Sequence, residues 1–264
     1  MHPFVALMRT YCIDYTNSHD QSLYDEIMEP DYVVHISGFD LPRDEGYSQA
    51  VTDLFQRAPG LGLVVHEFVL NGDRLCMRFS EHAAMPTDDG PRLACWRGIG
   101  LYKWNGKRLT ENYVEQDYLS VHRQLTSGVP HELEPPHIDP WVGTEVEAPN
   151  TEAEDVVRAW LAKGDLTAAG RHLIDDSTDD WPVIDVTDVT VDDLFSAGTR
   201  VPFHVAARGP YRGGIDDVPE EHVGKEATLH VAGIAEVDGG TVAAVRAVTT
   251  RMTVRWQFTG LPPI

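Results

Sequence analysis

Gly98-Ile99-Gly100-Leu101-Tyr102-Lys103-Trp104-Asn105-Gly106-Lys107-Arg108-Leu109-Thr110-Glu111-Asn112-Tyr113-Val114-Glu115-Gln116-Asp117 is the stretch whose reading decides this chain. Two strand-like runs flank an Asn-Gly pair, and the second run ends among three acids. Asn-Gly suits a two-residue type I′ turn, whose central positions both need positive φ, and the flanks are rich in residues that favour strands. On a strand, period-two alternation puts Glu111, Tyr113, Glu115 and Asp117 on one face. A sheet face carrying that many acids is either wet or functional.

Outward from this hairpin, Leu61–Leu70, Arg74–Met85, Arg92–Trp104 and Lys107–Leu119 read as four strands, with Asn71-Gly72 as a second hairpin signal. Upstream, Val5, Met8, Cys12 and Tyr15 fall near helical spacing, and Asp20 caps a second short helix. Tyr32-Val33-Val34-His35-Ile36 reads as a strand, and Tyr47 to Ala58 as a third helix ending at Pro59-Gly60. Helices followed by an antiparallel meander predict an α+β domain with helices on one sheet face.

Residues 129–150, with Pro130, Pro135, Pro136, Pro140 and Pro149 among acids, read as an irregular linker. Beyond it the grammar repeats. Glu152–Lys163 is a helix capped by Asn150 or Thr151, with Val156, Val157, Trp160 and Leu161 on one face. Val183–Val191, Val201–Arg208, Ala227–Val237 and Thr241–Phe258 alternate as strands, and Gly233-Ile234 through Gly239-Gly240 echoes Gly98-Ile99 through Asn105-Gly106. The expected organisation is a first domain at 1–128, a linker at 129–150 and a related domain at 151–264.

The 264 residues carry 42 Asp and Glu against 21 Lys and Arg, a formal net charge of −21, which argues against nucleic acid and anionic membranes as partners. Cys12, Cys76 and Cys95 form no CxxC pair and sit in apolar runs, so reduced thiols and a cytoplasmic setting are expected. GxGxxG, GxxxxGK[ST], HExxH and GxSxG are absent. No cofactor and no metal is expected.

Asp31-Tyr32-Val33-Val34-His35, Gly46 before the third helix, Gly98-Ile99, Asn105-Gly106-Lys107, and Tyr113 four residues before Asp117 together resemble the SnoaL-like branch of the NTF2-like superfamily. The resemblance covers residues 1–125, with a weaker match over 151–260 that lacks the terminal acid. It implies two tandem cone-shaped domains, each a curved, mainly antiparallel sheet wrapped by helices around an apolar pocket. It also implies cofactor-independent cyclase or isomerase chemistry by proton transfer on a small hydrophobic carbonyl compound of polyketide or steroid type. Asp117 matches the family's acid/base, and burial would raise its pKa toward neutrality.

His35 matches a histidine that often faces the family's pocket; it would bind a substrate oxygen or relay a proton. Tyr113, Trp96 and Tyr102 are candidate substrate contacts, the last two as part of an aromatic wall with Trp104. Arg78 shares a strand face with His82, opposite Glu81. Arg78 beside Asp117, with Glu115 as a second acid, would instead favour epoxide hydrolysis or dehydration; Glu111 and Glu115 equally suit a solvated rim. A further alternative is a non-catalytic ligand-binding or assembly module. The second domain, with Arg246, Arg251, Arg255 and His230 where the first has acids, is expected to be structural. It would form an intramolecular pseudo-dimer, with homodimerisation also open, or use its basic last run to bury the Glu111–Asp117 acids as ion pairs.

Overall fold

The computed structural model describes residues 1–132, 134–164, 166, 170–176 and 183–260. The chain divides into two compact units: the first is Met1–Val114 with Ser120–Glu147, and the second is Glu115–Leu119 with Ala148–Ile264. Both are α+β. Among the described residues no helix is long and apolar enough to cross a membrane.

In the first unit, α1 (Pro3–Arg9) starts with proline, whose fixed φ suits a first helical position, and its Phe4 N–H donates to His2 Nδ1. The helix runs into wider turns over Thr10–Asn17, so that Phe4, Val5, Met8, Cys12 and Tyr15 form one buried stripe. Burial of such side chains is worth roughly 1.5–3 kcal/mol each. After α2 (Tyr24–Ile27), β1 (Met28–Ile36) turns through Ser37 and Gly38, at φ 56° and 80°, into β2 (Phe39–Pro42), a strand not expected from the sequence. Then come α3 (Ser48–Arg57), β3 (Gly62–Leu70), β4 (Arg74–Met85), β5 (Arg92–Trp104), β6 (Leu109–Gln116) and α4 (Tyr118–Ser127). The six-stranded sheet has the order β2-β1-β6-β5-β4-β3, with β1 parallel to β6.

Both Asn-Gly turns are offset by one residue from the expected geometry. Asn105 N–H donates to Arg108 O, so Gly106 and Lys107 are the central pair, and only Gly106 has positive φ, at 90°. Asn105 Oδ1 accepts from the N–H groups of Lys107 and Arg108, and Asn71 does the same for Asp73 and Arg74. The asparagine thus serves as a side-chain acceptor at the turn's first corner rather than as a positive-φ residue.

The expected linker is irregular, yet its residues up to Glu147 belong to the first unit. β3 is an edge strand, and its carbonyls take donors from this segment: His137 N–H to Val65 O at 3.1 Å and Glu147 N–H to Leu70 O at 3.0 Å. Trp141 packs against Phe68, completing the cover of the edge.

The second unit contains α5 (Thr151–Leu161), β7 (Arg171–Ile174), β8 (Asp188–Leu194), β9 (Arg200–Pro210), β10 (Glu226–Asp238), β11 (Thr241–Thr249) and α6 (Arg251–Thr259). Asn150 caps α5 by accepting from Ala153 N–H, and Glu154 accepts from the Ser196 hydroxyl. The sheet order is β7-β11-β10-β9-β8, with β7 parallel to β11, which repeats β1-β6-β5-β4-β3. The expected last strand Thr241–Phe258 is two elements, a strand to Thr249 and then helix α6, so Arg251 and Arg255 lie on a helix.

Register makes the repeat specific. Phe79 faces Gly98 across β4 and β5, and Phe203 faces Gly233 across β9 and β10. A Cβ at Gly98 would fall 2.2 Å from the Phe79 ring, and one at Gly233 would fall 2.3 Å from the Phe203 ring. Each glycine is the floor on which an inward aromatic ring lies.

Candidate active site

In the first unit, the helix-covered core takes Leu75, Met77 and Phe79 from β4, Tyr102 from β5, and Tyr32 and Val34 from β1. The same alternation sends Glu81 of β4 and Trp96 of β5, which are register partners, to that interior face. Glu81 is only 6% exposed, and burial pushes its carboxyl up to about 7, with a hydrogen bond from Trp96 opposing the shift. Glu81 Oε2 is buried without a hydrogen-bond partner among the described residues, and the Tyr32 hydroxyl interacts with the side chain of Asn112.

Tyrosines surround this interior. Tyr11 OH lies 3.2 Å from Tyr47 OH, the Tyr11 and Tyr102 rings meet edge-on at 5.9 Å, and Tyr32 meets Tyr47 edge-on at 5.9 Å. Burial raises the pKa of Tyr11, Tyr32, Tyr47 and Tyr102, so each stays an O–H donor at neutral pH. Cys12 lies within electrostatic reach of Glu81, and burial together with that charge raises its thiol pKa.

The second unit provides an internal control. With Phe79 on Gly98 matched to Phe203 on Gly233, Glu81 and Trp96 correspond by register to Val205 and Val231. Where the first unit buries an acid, the second has an aliphatic core.

Trp96 and Tyr102, expected as substrate contacts, lie on this interior face, whereas the other expected residues lie elsewhere. His35 is on the opposite face of β1 from Tyr32 and Val34, half-buried: its Nδ1 is 2.6 Å from Asp40 Oδ1, its Nε2 is 3.3 Å from Glu111 Oε1, and its ring stacks on Tyr113 at 4.2 Å. Lys103 pairs with Glu111 and caps the Tyr113 ring. This is a saturated surface network. Arg78, on the face of β4 away from the core, donates from Nη1 to Glu134 at 2.8 Å and from Nε to Glu67 at 3.3 Å. It is therefore not the arginine that epoxide opening would need.

Asp117 and Glu115 group with the second unit and take their partners there. Arg251 Nη2 donates to Asp117 Oδ1 and Oδ2 at 3.0 and 3.2 Å and to Asp176 Oδ1 at 2.6 Å, and its Nε is 3.0 Å from Asp175 Oδ2. Asp175 also accepts from the N–H and hydroxyl of Thr249. Burial and the Asp117 charge push the Asp175 carboxyl upward against the pull of Arg251. Arg251 itself is held charged, because its three acids outweigh its burial. Asp117 is thus a saturated ion-pair partner of Arg251, whereas Glu111 pairs with Lys103 and His35 and Glu115 with His204, so of these acids only Asp117 is paired by the basic last run.

Glu115, fully buried, accepts from His204 Nε2 at 2.9 Å, and His204 Nδ1 is 2.9 Å from Asp192 Oδ2. Burial alone would lower the His204 pKa, but the two carboxylates push it up to about 9.

Sequence reasoning reaches Glu81 only as the residue opposite Arg78. The usable signal is its parity with Leu75, Met77 and Phe79, which places an acid on an otherwise apolar strand face.

No protein-family model and no curated protein sequence matches the chain. Solved structures do resemble it over about half its length. One is a "putative polyketide cyclase" from Acidithiobacillus ferrooxidans, with 21% identity and a TM-score of 0.42, covering 47% of this chain and 94% of its own. IdmH from Streptomyces antibioticus, described in the same words, has 19% identity and a TM-score of 0.42 over 48% of this chain and 99% of its own. TsrD from Streptomyces laurentii has 22% identity and a TM-score of 0.40 over 47% and 94%. What the candidate site can do follows from its own side chains.

Proposed function

We propose that the interior of the first unit takes up a small, largely hydrophobic carbonyl compound and moves a proton on it, with Glu81 as the acid–base group, in an isomerisation or cyclisation. One observation carries this reading: a buried carboxyl poised near neutral pH, with one oxygen unpartnered, stands where the sister unit has Val205. General acid–base work is most efficient when the group's pKa lies near the operating pH.

In the proposed cycle, Glu81 Oε2 takes a proton from the carbon next to the carbonyl, the C–H pair becomes the C=C bond of an enolate, and the carbonyl π pair moves onto the oxygen. Tyr32, kept as an O–H donor by burial, is the candidate donor to that developing enolate. The proton on Glu81 then returns either to a different carbon, giving an isomer, or to the alkoxide formed when the enolate carbon closes on a second carbonyl. Phe79, Trp96 and Tyr102 supply the apolar, aromatic surroundings such a substrate requires.

The test is α-proton exchange in D2O, followed by NMR, on a steroid β,γ-enone and a flat tricyclic diketone. Wild type should accelerate exchange of at least one probe, and Glu81→Gln should lower that rate by about 10²-fold or more, the usual scale of a lost general base. Tyr32→Phe should lower it less. Equal rates in wild type and Glu81→Gln would refute the assignment.

A further inference from the structure

The second unit carries a second cluster of chemistry-bearing side chains, separate from Glu81 and from the Arg251 ion pairs. β9 and β10 are antiparallel with His204 opposite Ala232 and His230 opposite Ala206, so the two histidines are diagonal neighbours on one sheet face. Their rings are 5.9 Å apart. That face is the reverse of the one bearing Phe203, Val205, Leu229 and Val231, which form the unit's core. Glu115 reaches the same spot, and one donor atom from each of Glu115, His204 and His230 lies within 4.8 Å of the others.

We infer that Glu115, His204 and His230 form a binding site for a first-row divalent transition cation, Zn2+ being the representative. Two imidazoles and a carboxylate are a borderline donor set that suits Zn2+, Fe2+, Co2+ or Ni2+ and is a poor match for Ca2+ or Mg2+, which prefer all-oxygen shells. Zinc bonds of about 2.0–2.1 Å place tetrahedral ligands about 3.3–3.4 Å apart. Seating the ion therefore displaces the Nε2 proton that His204 donates to Glu115, releasing it to solvent, opens their 2.9 Å contact by a few tenths of an ångström and draws His230 inward. Asp192 holds the other nitrogen of His204 at 2.9 Å, the outer carboxylate that metal-bound histidines use to fix ring and tautomer. Three protein ligands leave a fourth position for water or a substrate oxygen, as in catalytic rather than closed structural sites.

The experiment uses the full chain, stripped with chelator and dialysed, titrated calorimetrically with ZnCl2 and separately followed in the visible range with CoCl2. The expected result is one equivalent of saturable Zn2+ binding, with the intense d–d bands of a four- or five-coordinate Co2+ site. His230→Gln, the less buried substitution, should abolish both, and Asp192→Asn should weaken binding about 10–100-fold. Circular dichroism and melting of each variant establish that it is folded. Absence of saturable binding, or binding that survives in His230→Gln, would overturn the inference and leave the cluster as a metal-free hydrogen-bond chain from Glu115 through His204 to Asp192.

Discussion

Replacing Glu81 with glutamine should leave stability nearly unchanged in acid and raise it in base. In the folded chain the carboxyl keeps its proton until about pH 7, whereas its ordinary value, taken for the unfolded chain, is 4.5. Below pH 4.5 both states hold the proton and Glu81 contributes no pH-dependent difference. Between 4.5 and 7 the folded state binds more protons than the unfolded state, so stability falls as pH rises. Above 7 the loss is complete. At about 1.4 kcal/mol per pH unit, that interval sets a ceiling of about 3 kcal/mol on the penalty wild type carries at pH 8.5. The glutamine in the Glu81→Gln variant is not ionisable, and its amide keeps an oxygen to accept from Trp96. Urea unfolding of both proteins from pH 4 to 9 gives the difference directly, because titrations common to both cancel. The variant's advantage should grow from near zero at pH 4 to about 2–3 kcal/mol at pH 8.5, half of it developed near pH 6. A flat difference, or one favouring wild type at high pH, would show that Glu81 does not titrate near neutrality and would remove the basis for its acid–base role.

Gly98→Ala and Gly233→Ala should each destabilise by about 1–3 kcal/mol, because the new methyl lands on the Phe79 or Phe203 ring; pairing each with Phe→Leu at the facing position should recover part of the loss, measured by thermal melting. Arg251→Met strands three buried or half-buried carboxylates and should cost about 3–5 kcal/mol, with Arg251→Lys recovering little because a point charge cannot serve Asp117, Asp175 and Asp176 from two nitrogens; urea midpoints at pH 7 decide this. Adding Asp117→Asn to Arg251→Met should then be less harmful than the sum of the two single changes, and strict additivity would deny the contact. Asn150→Ala removes the α5 cap and should cost about 1 kcal/mol by the same measurement.

The frame is legible where local signals agree. β4 and β5 have the same bounds in sequence and structure, Arg74–Met85 and Arg92–Trp104, since each is a long run of strand-favouring residues between turn signals. β2 escapes such a reading because Phe39-Asp40-Leu41-Pro42 is short and ends in proline, with Ser37 in the left-handed region, where sequence rarely places serine. α6 reads as strand because Met252, Val254, Trp256 and Phe258 alternate with polar residues at period two. Tertiary contacts override that pattern: the helix buries Arg251, Met252, Val254 and Arg255, and Arg251 reaches Asp117 across 134 positions of sequence. The same distance in sequence hides the fate of the candidate acids. Glu115 finds His204 89 residues on, and nothing local to Glu115 names that partner. Glu81 is within reach of a parity argument, but its pairing with Trp96 needs the register of β4 on β5.

The two units share a strand order and a register yet differ sharply at one position. The Phe79–Gly98 and Phe203–Gly233 pairs perform the same mechanical task, setting two strands close under an aromatic ring, and both survive. Two positions along the same strand, the frame imposes no such demand. A valine at 205 adds to the core, whereas an acid at 81 raises the free energy of the folded state above neutral pH. The acids of the second unit behave differently: Asp117, Asp175 and Glu115 are each neutralised by a cation or hydrogen-bonded to a histidine. A buried carboxyl supported by an indole N–H, where Asp117, Asp175 and Glu115 each have a cation or a histidine, is a destabilising group. It is the group on which the proposed proton transfer rests, and the pH dependence of the Glu81→Gln difference tests it directly.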